Sequence, residues 1–272
     1  MITYDGLKLH TKVWTIPNPK ADILLAHGFF EHCERYSAEA QFLNAAGYSV
    51  YSYDQRTHGQ SEGKRRSYVK DCNNYCRDYK QYLDGLNLGA ERPYFLFAHS
   101  MGGLVQATHL IQEEISNPNF KGAIFSAPLI MPDKDTAPIL QKLSSIIGTL
   151  LPTLRVLKID SSAISRDPDE IKKYDNDPLV SNESMYASSA YQLIKQMKSI
   201  QPQLSKINCP ILIMHGTDDK LAEIAGSRLL YAEATSQDKE LKELQDYKHE
   251  ITRDLGKEKV LDHLKRWMDE RL

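Results

Sequence analysis

The stretch Ala98-His99-Ser100-Met101-Gly102-Gly103 sets a serine between small residues two before and two after it. At a sharp strand-to-helix turn such a serine is lifted clear as a nucleophile, and larger flanking side chains would clash within the turn. Glycine is usual at the position two before; here Ala98 stands there. A serine hydroxyl needs a base, and the base needs an orienting carboxylate. His249, in Asp246-Tyr247-Lys248-His249-Glu250, and the acids of His215-Gly216-Thr217-Asp218-Asp219-Lys220 supply both, in the chain order Ser, Asp, His. Asp218 and Asp219 compete for the acid's place. An acid three residues after the turn glycine Gly216 is Asp219, which leaves Asp218 as a solvated turn residue or a hydrogen-bond partner within the loop. An acyl-transfer oxyanion needs two preorganised N–H donors, each worth about 2.7–4 kcal/mol. The Met101 amide, directly after the serine, is one candidate. The Phe29 amide in Ala26-His27-Gly28-Phe29 is the other, with Gly28 allowing close backbone approach.

The elements that must carry these groups alternate. Residues 7–14 read as a half-buried strand, 23–26 as a short buried one, 36–46 as a helix ended by Gly47, and 48–53 as a strand. A helix over 71–88, a strand over 94–98 entered by Pro93, a helix over 101–116 and a strand over 122–126 follow. The alternation resumes with a strand at 211–214, a helix at 223–234, a strand at 240–245 and a closing helix from 257. Strands alternating with helices indicate a mostly parallel sheet with right-handed crossovers. Ser100 then follows the strand at 94–98, and Asp219 and His249 sit on adjacent loops after the strands at 211–214 and 240–245, all at the carboxyl edge where sites of this fold class lie.

Between 130 and 205 the pattern breaks into helical periodicity with prolines at 132, 138, 152, 168, 178 and 202, and no convincing strand. The chain therefore divides into a first core part (1–129), a helical cap insertion over the sheet edge (130–205) and a second core part (206–272). Within the insertion, Ile139, Leu140, Leu143, Ile146, Ile147, Leu150, Leu151 and Leu154 share one helical face. That face either packs on its own domain, lines an acyl-chain tunnel or touches a lipid surface.

Composition narrows the function. Of 272 residues, 34 are Lys or Arg and 36 Asp or Glu, a formal net charge of −2 that gives no electrostatic footprint for nucleic acid. No apolar run approaches the ~20 residues that span a bilayer, and the N-terminus does not read as a secretory signal. Cys33, Cys72, Cys76 and Cys209 are too few for a disulfide framework and lack zinc-site spacing. They read as free thiols of a cytoplasmic protein. Cys33, near the expected mouth of the site, is either reactive or a buried inert thiol.

The chain resembles the monoacylglycerol lipases of the serine α/β-hydrolase superfamily, in its lysophospholipase-like branch. The resemblance rests on His27-Gly28-Phe29-Phe30-Glu31-His32-Cys33-Glu34-Arg35-Tyr36, Asp54-Gln55-Arg56-Thr57-His58-Gly59-Gln60-Ser61-Glu62-Gly63 and the serine turn. Ser126-Ala127-Pro128-Leu129, Ser165-Arg166-Asp167-Pro168, Tyr174-Asp175-Asn176-Asp177-Pro178-Leu179 and Gly216-Thr217-Asp218-Asp219 extend it over nearly the whole chain. It implies an α/β-hydrolase fold with a cap, cleaving monoacylglycerols to fatty acid and glycerol through an acyl-enzyme, with no metal or organic cofactor. It further implies that Glu31 and Arg35 brace the oxyanion loop, that His99 and Tyr174 lie near the glycerol hydroxyls, and that the enzyme contacts membranes transiently. Thr57 stands where the family has glycine. A lysophospholipase or generalist carboxylesterase is the alternative, and a non-catalytic hydrolase-fold binding protein a more distant one. A homodimer through an exposed cap face is left open.

Overall fold

The short buried runs become strands because helices cover both faces of the sheet. In β2 (Ala21–Ala26), β4 (Tyr94–His99) and β8 (Ile211–Gly216) every residue is buried, as expected for parallel strands packed on two sides. The structure, a computed structural model, describes residues 1–132, 145–181 and 183–272. Seven strands form one sheet in the order β1 (Thr11–Trp14), β3 (Tyr48–Tyr53), β2, β4, β5 (Phe120–Ser126), β8 and β9 (Lys239–Leu244). β1 runs antiparallel to β3, and the other pairings are parallel. This is the α/β-hydrolase architecture, with each expected strand and helix present to within a few residues.

Two helical layers enclose the sheet. On one face α1 (Ser37–Ala45) and α7 (Lys257–Asp269) contribute Leu43, Val260, Leu264 and Trp267 to a core with Ile23, Val50, Phe95 and Leu212. On the other, α2 (Cys72–Leu86) presents Cys72, Tyr75, Tyr79 and Tyr82 at helical spacing, against Leu104 and Val105 of α3 (Met101–Gln112). Asp71 caps α2 by accepting the Asn73 amide.

After β2 the chain adds β3 on one side, then crosses to β4 on the other. The carboxyl ends of β2 and β4 therefore flank a topological switch point, and Ala26 pairs with Ala98 there. The loop holding Phe29 and the turn holding Ser100 leave from that point.

The segment between β5 and β8 carries helical residues 145–150, α4 (Pro168–Asn176) and α5 (Ala187–Ile200). Asp167 caps α4 and Pro168 opens it. Against the sequence expectation of no strand, β6 (Arg155–Leu157) and β7 (Met185–Tyr186) form a two-stranded antiparallel sheet. At three and two residues these are too short to register as an alternating pattern. Leu193, Met197 and Ile200 of α5 join the core formed by α2 and α3. Of the apolar stripe, Ile139, Leu140 and Leu143 lie outside the described residues. Ile146, Leu150, Leu151 and Leu154 are exposed, at 58%, 73%, 57% and 46%. No described helix is long and apolar enough to cross a membrane.

Candidate active site

Ser100 occupies the turn between β4 and α3 with φ +53°, a left-handed conformation uncommon for a non-glycine residue. The Ser126 carbonyl accepts its amide at 3.0 Å, while the Ser100 carbonyl accepts the amides of Leu104 and Leu129. Gly102 lets α3 start against β2, because a Cβ there would collide with the Ala26 carbonyl oxygen. Met101 is the first residue of α3, so its amide has no acceptor one turn earlier in the helix.

His249, in the loop after β9, brings Nε2 to 2.8 Å from Ser100 Oγ and Nδ1 to 2.6 Å from Asp219 Oδ2. A carboxylate is acceptor-only, so Nδ1 carries the hydrogen and Nε2 accepts from the serine. Asp219 Oδ1 takes the amides of Leu221 and Ala222 at 2.8 and 3.0 Å. Asp218, by contrast, is about half exposed and pairs with Lys220 at 3.1 Å. Burial opposes ionisation of Asp219. The charge of His249 and hydrogen bonds from His215 and His249 outweigh it and hold the carboxyl well below its usual range. Burial likewise opposes protonation of His249, but the Asp219 carboxylate, with Glu250 and Glu31 further off, raises it above its ordinary value. Burial and the neighbouring His249 lower His99 to about 3, which keeps that ring neutral.

The loop after β2 reaches the serine from the other side. A Cβ on Gly28 would lie 3.1 Å from Ser100 Cβ and 2.8 Å from Glu31 Oε1, so only glycine allows the backbone this close. Glu31 braces the loop, accepting the Gly28 amide at 2.6 Å and the Tyr36 hydroxyl at 2.7 Å on Oε1 and Arg35 at 2.9 Å on Oε2. Buried His27 accepts the Gln55 amide on Nε2 at 2.9 Å, joining this loop to the end of β3. Thr57 takes the left-handed conformation itself, φ +66°, and its Oγ1 lies 3.0 Å from the Tyr75 hydroxyl. The loop conformation that favours glycine is thus present with threonine in it.

A cavity of about 480 Å³ opens at Ser100. Its apolar lining residues include Phe29, Leu129, Leu157, Ile159, Met185 and Leu193, and its polar ones Glu31, His99, Tyr174, Asp218, Lys220, Lys248, His249 and Glu250. Of the residues singled out from sequence, Phe29, Glu31, His99, Ser100, Tyr174 and His249 line it. Arg35, Met101 and Asp219 do not, and each contacts or adjoins one that does. The Arg35 guanidinium lies over the Tyr174 ring at 4.7 Å, tying the segment between β5 and β8 to the loop after β2.

Sequence reasoning missed Glu250, Arg253, Asp254 and the role of His215. Glu250 pairs with Arg35 and Arg253, while Asp254 accepts the backbone amides of Arg166 and Lys248 at 2.8 Å and thereby joins the segment between β5 and β8 to the His249 loop. The available signal for the first three was Glu250, Arg253 and Asp254 within five residues after His249, in a loop expected at a buried edge. The four cysteines are free, and burial first, then the charge of Asp54, pushes the Cys33 thiol up, so it is inert. His10, Cys33 and Asp54 bring metal-type ligand atoms within 4.8 Å of one another. The Asp54 oxygens already accept the Cys33 and Gln60 amides, and a protonated thiol is a poor ligand, so the set does not suit an ion.

A family model described as Serine aminopeptidase, S33, matches residues 17–256. Monoacylglycerol lipase of Mycolicibacterium smegmatis is 31% identical over 97% of this chain and 93% of its own length. Monoglyceride lipase of Homo sapiens is 31% identical over 100% of this chain and 90% of its own. The crystal structure of Paleococcus ferrophilus monoacylglycerol lipase superposes with a TM-score of 0.86 at 26% identity, covering 97% of this chain and all of that one. A soluble variant of the Saccharomyces cerevisiae monoglyceride lipase, in complex with a substrate analog, gives 0.87 at 24% identity over 99% and 94%, a likeness of fold. Fold and likeness together define a carboxylic ester hydrolase of the α/β-hydrolase class. Within that class the chain belongs to the serine aminopeptidase S33 family, in its monoacylglycerol lipase branch.

Proposed function

We propose that this chain cleaves monoacylglycerols to free fatty acid and glycerol through an acyl-enzyme on Ser100. The observation that carries the reading is the unbroken relay from Ser100 through His249 to Asp219, opening into a cavity lined by both apolar and polar side chains. Ser100 Oγ attacks the ester carbonyl as His249 Nε2 takes its proton, and Asp219 stabilises the resulting imidazolium. The amides of Phe29 and Met101 receive the oxyanion. His249 then protonates the departing glycerol oxygen, and in the second half it deprotonates the water that attacks the acyl group and regenerates Ser100. The apolar lining residues suit the acyl chain, and His99 and Tyr174 suit the glycerol hydroxyls.

Residues 130–205 act as the cap in this reading. The exposed Ile146, Leu150, Leu151 and Leu154 serve a transient contact of a cytoplasmic enzyme with the lipid surface that holds its substrate. The same face is where two copies would meet in a homodimer, which sedimentation of the detergent-free protein separates from lipid contact. Lys158, Lys220 and Lys248 at the cavity favour a second reading, a lysophospholipid with its phosphate there. Fatty-acid release from monooleoylglycerol, lysophosphatidylcholine and a short-chain ester, compared in one assay, tests the substrate class. Preference for the monoglyceride is expected. An inert monoglyceride beside another ester that turns over would overturn it.

A further inference from the structure

Four N–H groups face the Asp219 carboxylate, three as hydrogen bonds and one at ion-pair distance, and only one of them belongs to the relay. Two are the backbone amides on Oδ1, and the third is His249 on Oδ2. The fourth is His215, the penultimate residue of β8, whose Nε2 lies 3.1 Å from the same Oδ2 with both side chains wholly buried. His215 Nε2 donates to the Ala222 carbonyl, also at 3.1 Å, so both its neighbours are acceptors, this nitrogen carries the hydrogen, and that hydrogen is divided between the carbonyl and Asp219. Nδ1, 2.7 Å from Ser227 Oγ in α6 (Ile224–Glu233), accepts the serine's hydrogen in return.

We infer that His215 is a positioning residue for the ester hydrolysis, fixing the rotation of the Asp219 carboxylate and drawing acceptor strength from the oxygen that faces His249. The inference rests on the reading of Ser100, His249 and Asp219 given above. An oxygen shared by two N–H donors binds each less strongly than it would bind one alone, so the imidazolium of His249 is stabilised less and the base stays neutral to lower pH. With two amides on Oδ1 and an imidazole beside Oδ2, the carboxylate has no room to turn from His249.

The charged and titratable groups around these rings are few. Asp219, Glu250, Glu31 and His99 face His249, and the two glutamates are paired with Arg35 and Arg253. Across the sheet His215 is in register with Glu243 of β9, which Arg228 pairs at 2.8 Å. Replacing His215 leaves all of these in place.

His215→Gln keeps an amide N–H near the position of Nε2, whereas His215→Asn reaches Ser227 and falls short of Asp219. The test is the pH dependence of kcat/KM on a soluble short-chain ester, with kcat and KM resolved on the plateau. For His215→Asn the acid limb should move up by roughly half to one pH unit, and kcat should fall about three- to tenfold at unchanged KM, the scale of one hydrogen bond. His215→Gln should stay within about twofold of wild type with its limb unmoved. An Asn profile superimposed on wild type, or Gln and Asn displaced alike, would overturn the inference and leave His215 a packing residue. If His215→Asn does not fold, Ser227→Ala keeps the ring and should move the limb the same way by less; an unmoved limb there overturns it too. Ser100→Ala is the control: activity surviving in it sinks the reading of the site, while an inactive Ser100→Ala beside unmoved His215 variants sinks only the role of His215.

Discussion

The Arg35 guanidinium grips the Glu250 carboxylate with two nitrogens, Nη1 at 2.6 Å and Nη2 at 2.9 Å, across 215 residues of chain. Arg35 follows the loop that holds the Phe29 amide, and Glu250 follows His249, so this one contact sets the two sides of the site against each other. Arg35→Met would leave buried Glu31 and Glu250 with Arg253, at the longer distance of 3.4 Å, as the remaining cation paired with them among the described residues. Breaking a buried pair from one side costs about 3–5 kcal/mol, so the urea midpoint should fall by that equivalent and kcat with it. An unchanged midpoint would mean that the network carries no stability.

Asp218 and Asp219 are neighbours with opposite expected phenotypes. Asp219→Asn should lower kcat on the order of 10⁴-fold, because His249 then takes the wrong tautomer. Asp218→Asn, at an exposed turn, should change it less than about twofold. Steady-state kinetics on both variants, with circular dichroism to verify folding, distinguishes them.

The pH profile follows from the sign of the His249 shift. In the proposed mechanism His249 must be neutral to act as base, and its folded pKa is raised above the ordinary 6.5, so activity should be lost as pH falls through a midpoint above that value. His99, at about 3, adds no second limb in the working range. The stability carried by the His249–Asp219 pair has two limits. The His249 part is complete below the unfolded value and is lost as pH rises through the folded one, while the Asp219 part is lost only in strong acid. A kcat/KM profile with its acid midpoint below 6.5 would contradict the assignment.

Much of this was legible in the sequence, for physical reasons that also mark where it stopped. Short apolar runs such as Ile23–Ala26, and turns such as His99-Ser100-Met101, advertise a parallel sheet and its carboxyl edge, which brought Ser100, Asp219 and His249 to one place. β6 and β7 were invisible because five residues carry no period. His215, Glu250, Arg253 and Asp254 went unread because composition counts charged side chains as solvated. Only long-range pairing, of Arg35 with Glu250 or Arg166 with Asp254, makes their burial tolerable.

Gly102 is a steric requirement. Gly102→Ala would drive a methyl into the Ala26 carbonyl, so α3 must shift against β2, which typically costs about 1–3 kcal/mol of overpacking. Because that shift moves the Met101 amide, activity should fall more than thermal stability alone accounts for. A Gly102→Ala variant with wild-type kcat and Tm would show that the turn tolerates the methyl.

The exposed leucines predict an activity that depends on how substrate is presented. A Leu150→Ser, Leu151→Ser double variant should keep its Tm and its rate on a soluble short-chain ester. On monooleoylglycerol in phosphatidylcholine vesicles it should lose about tenfold or more, since each leucine forfeits roughly 1 kcal/mol or more of apolar burial. Equal loss on both substrates would place the effect inside the enzyme rather than at a lipid surface.

The most direct measurement of the central claim is fatty-acid release from monooleoylglycerol by the wild type and by Ser100→Ala. The account predicts turnover by the wild type and none by a folded Ser100→Ala protein. Release by the variant at a rate near that of the wild type would contradict it, because no other side chain in the cavity is assigned the attack.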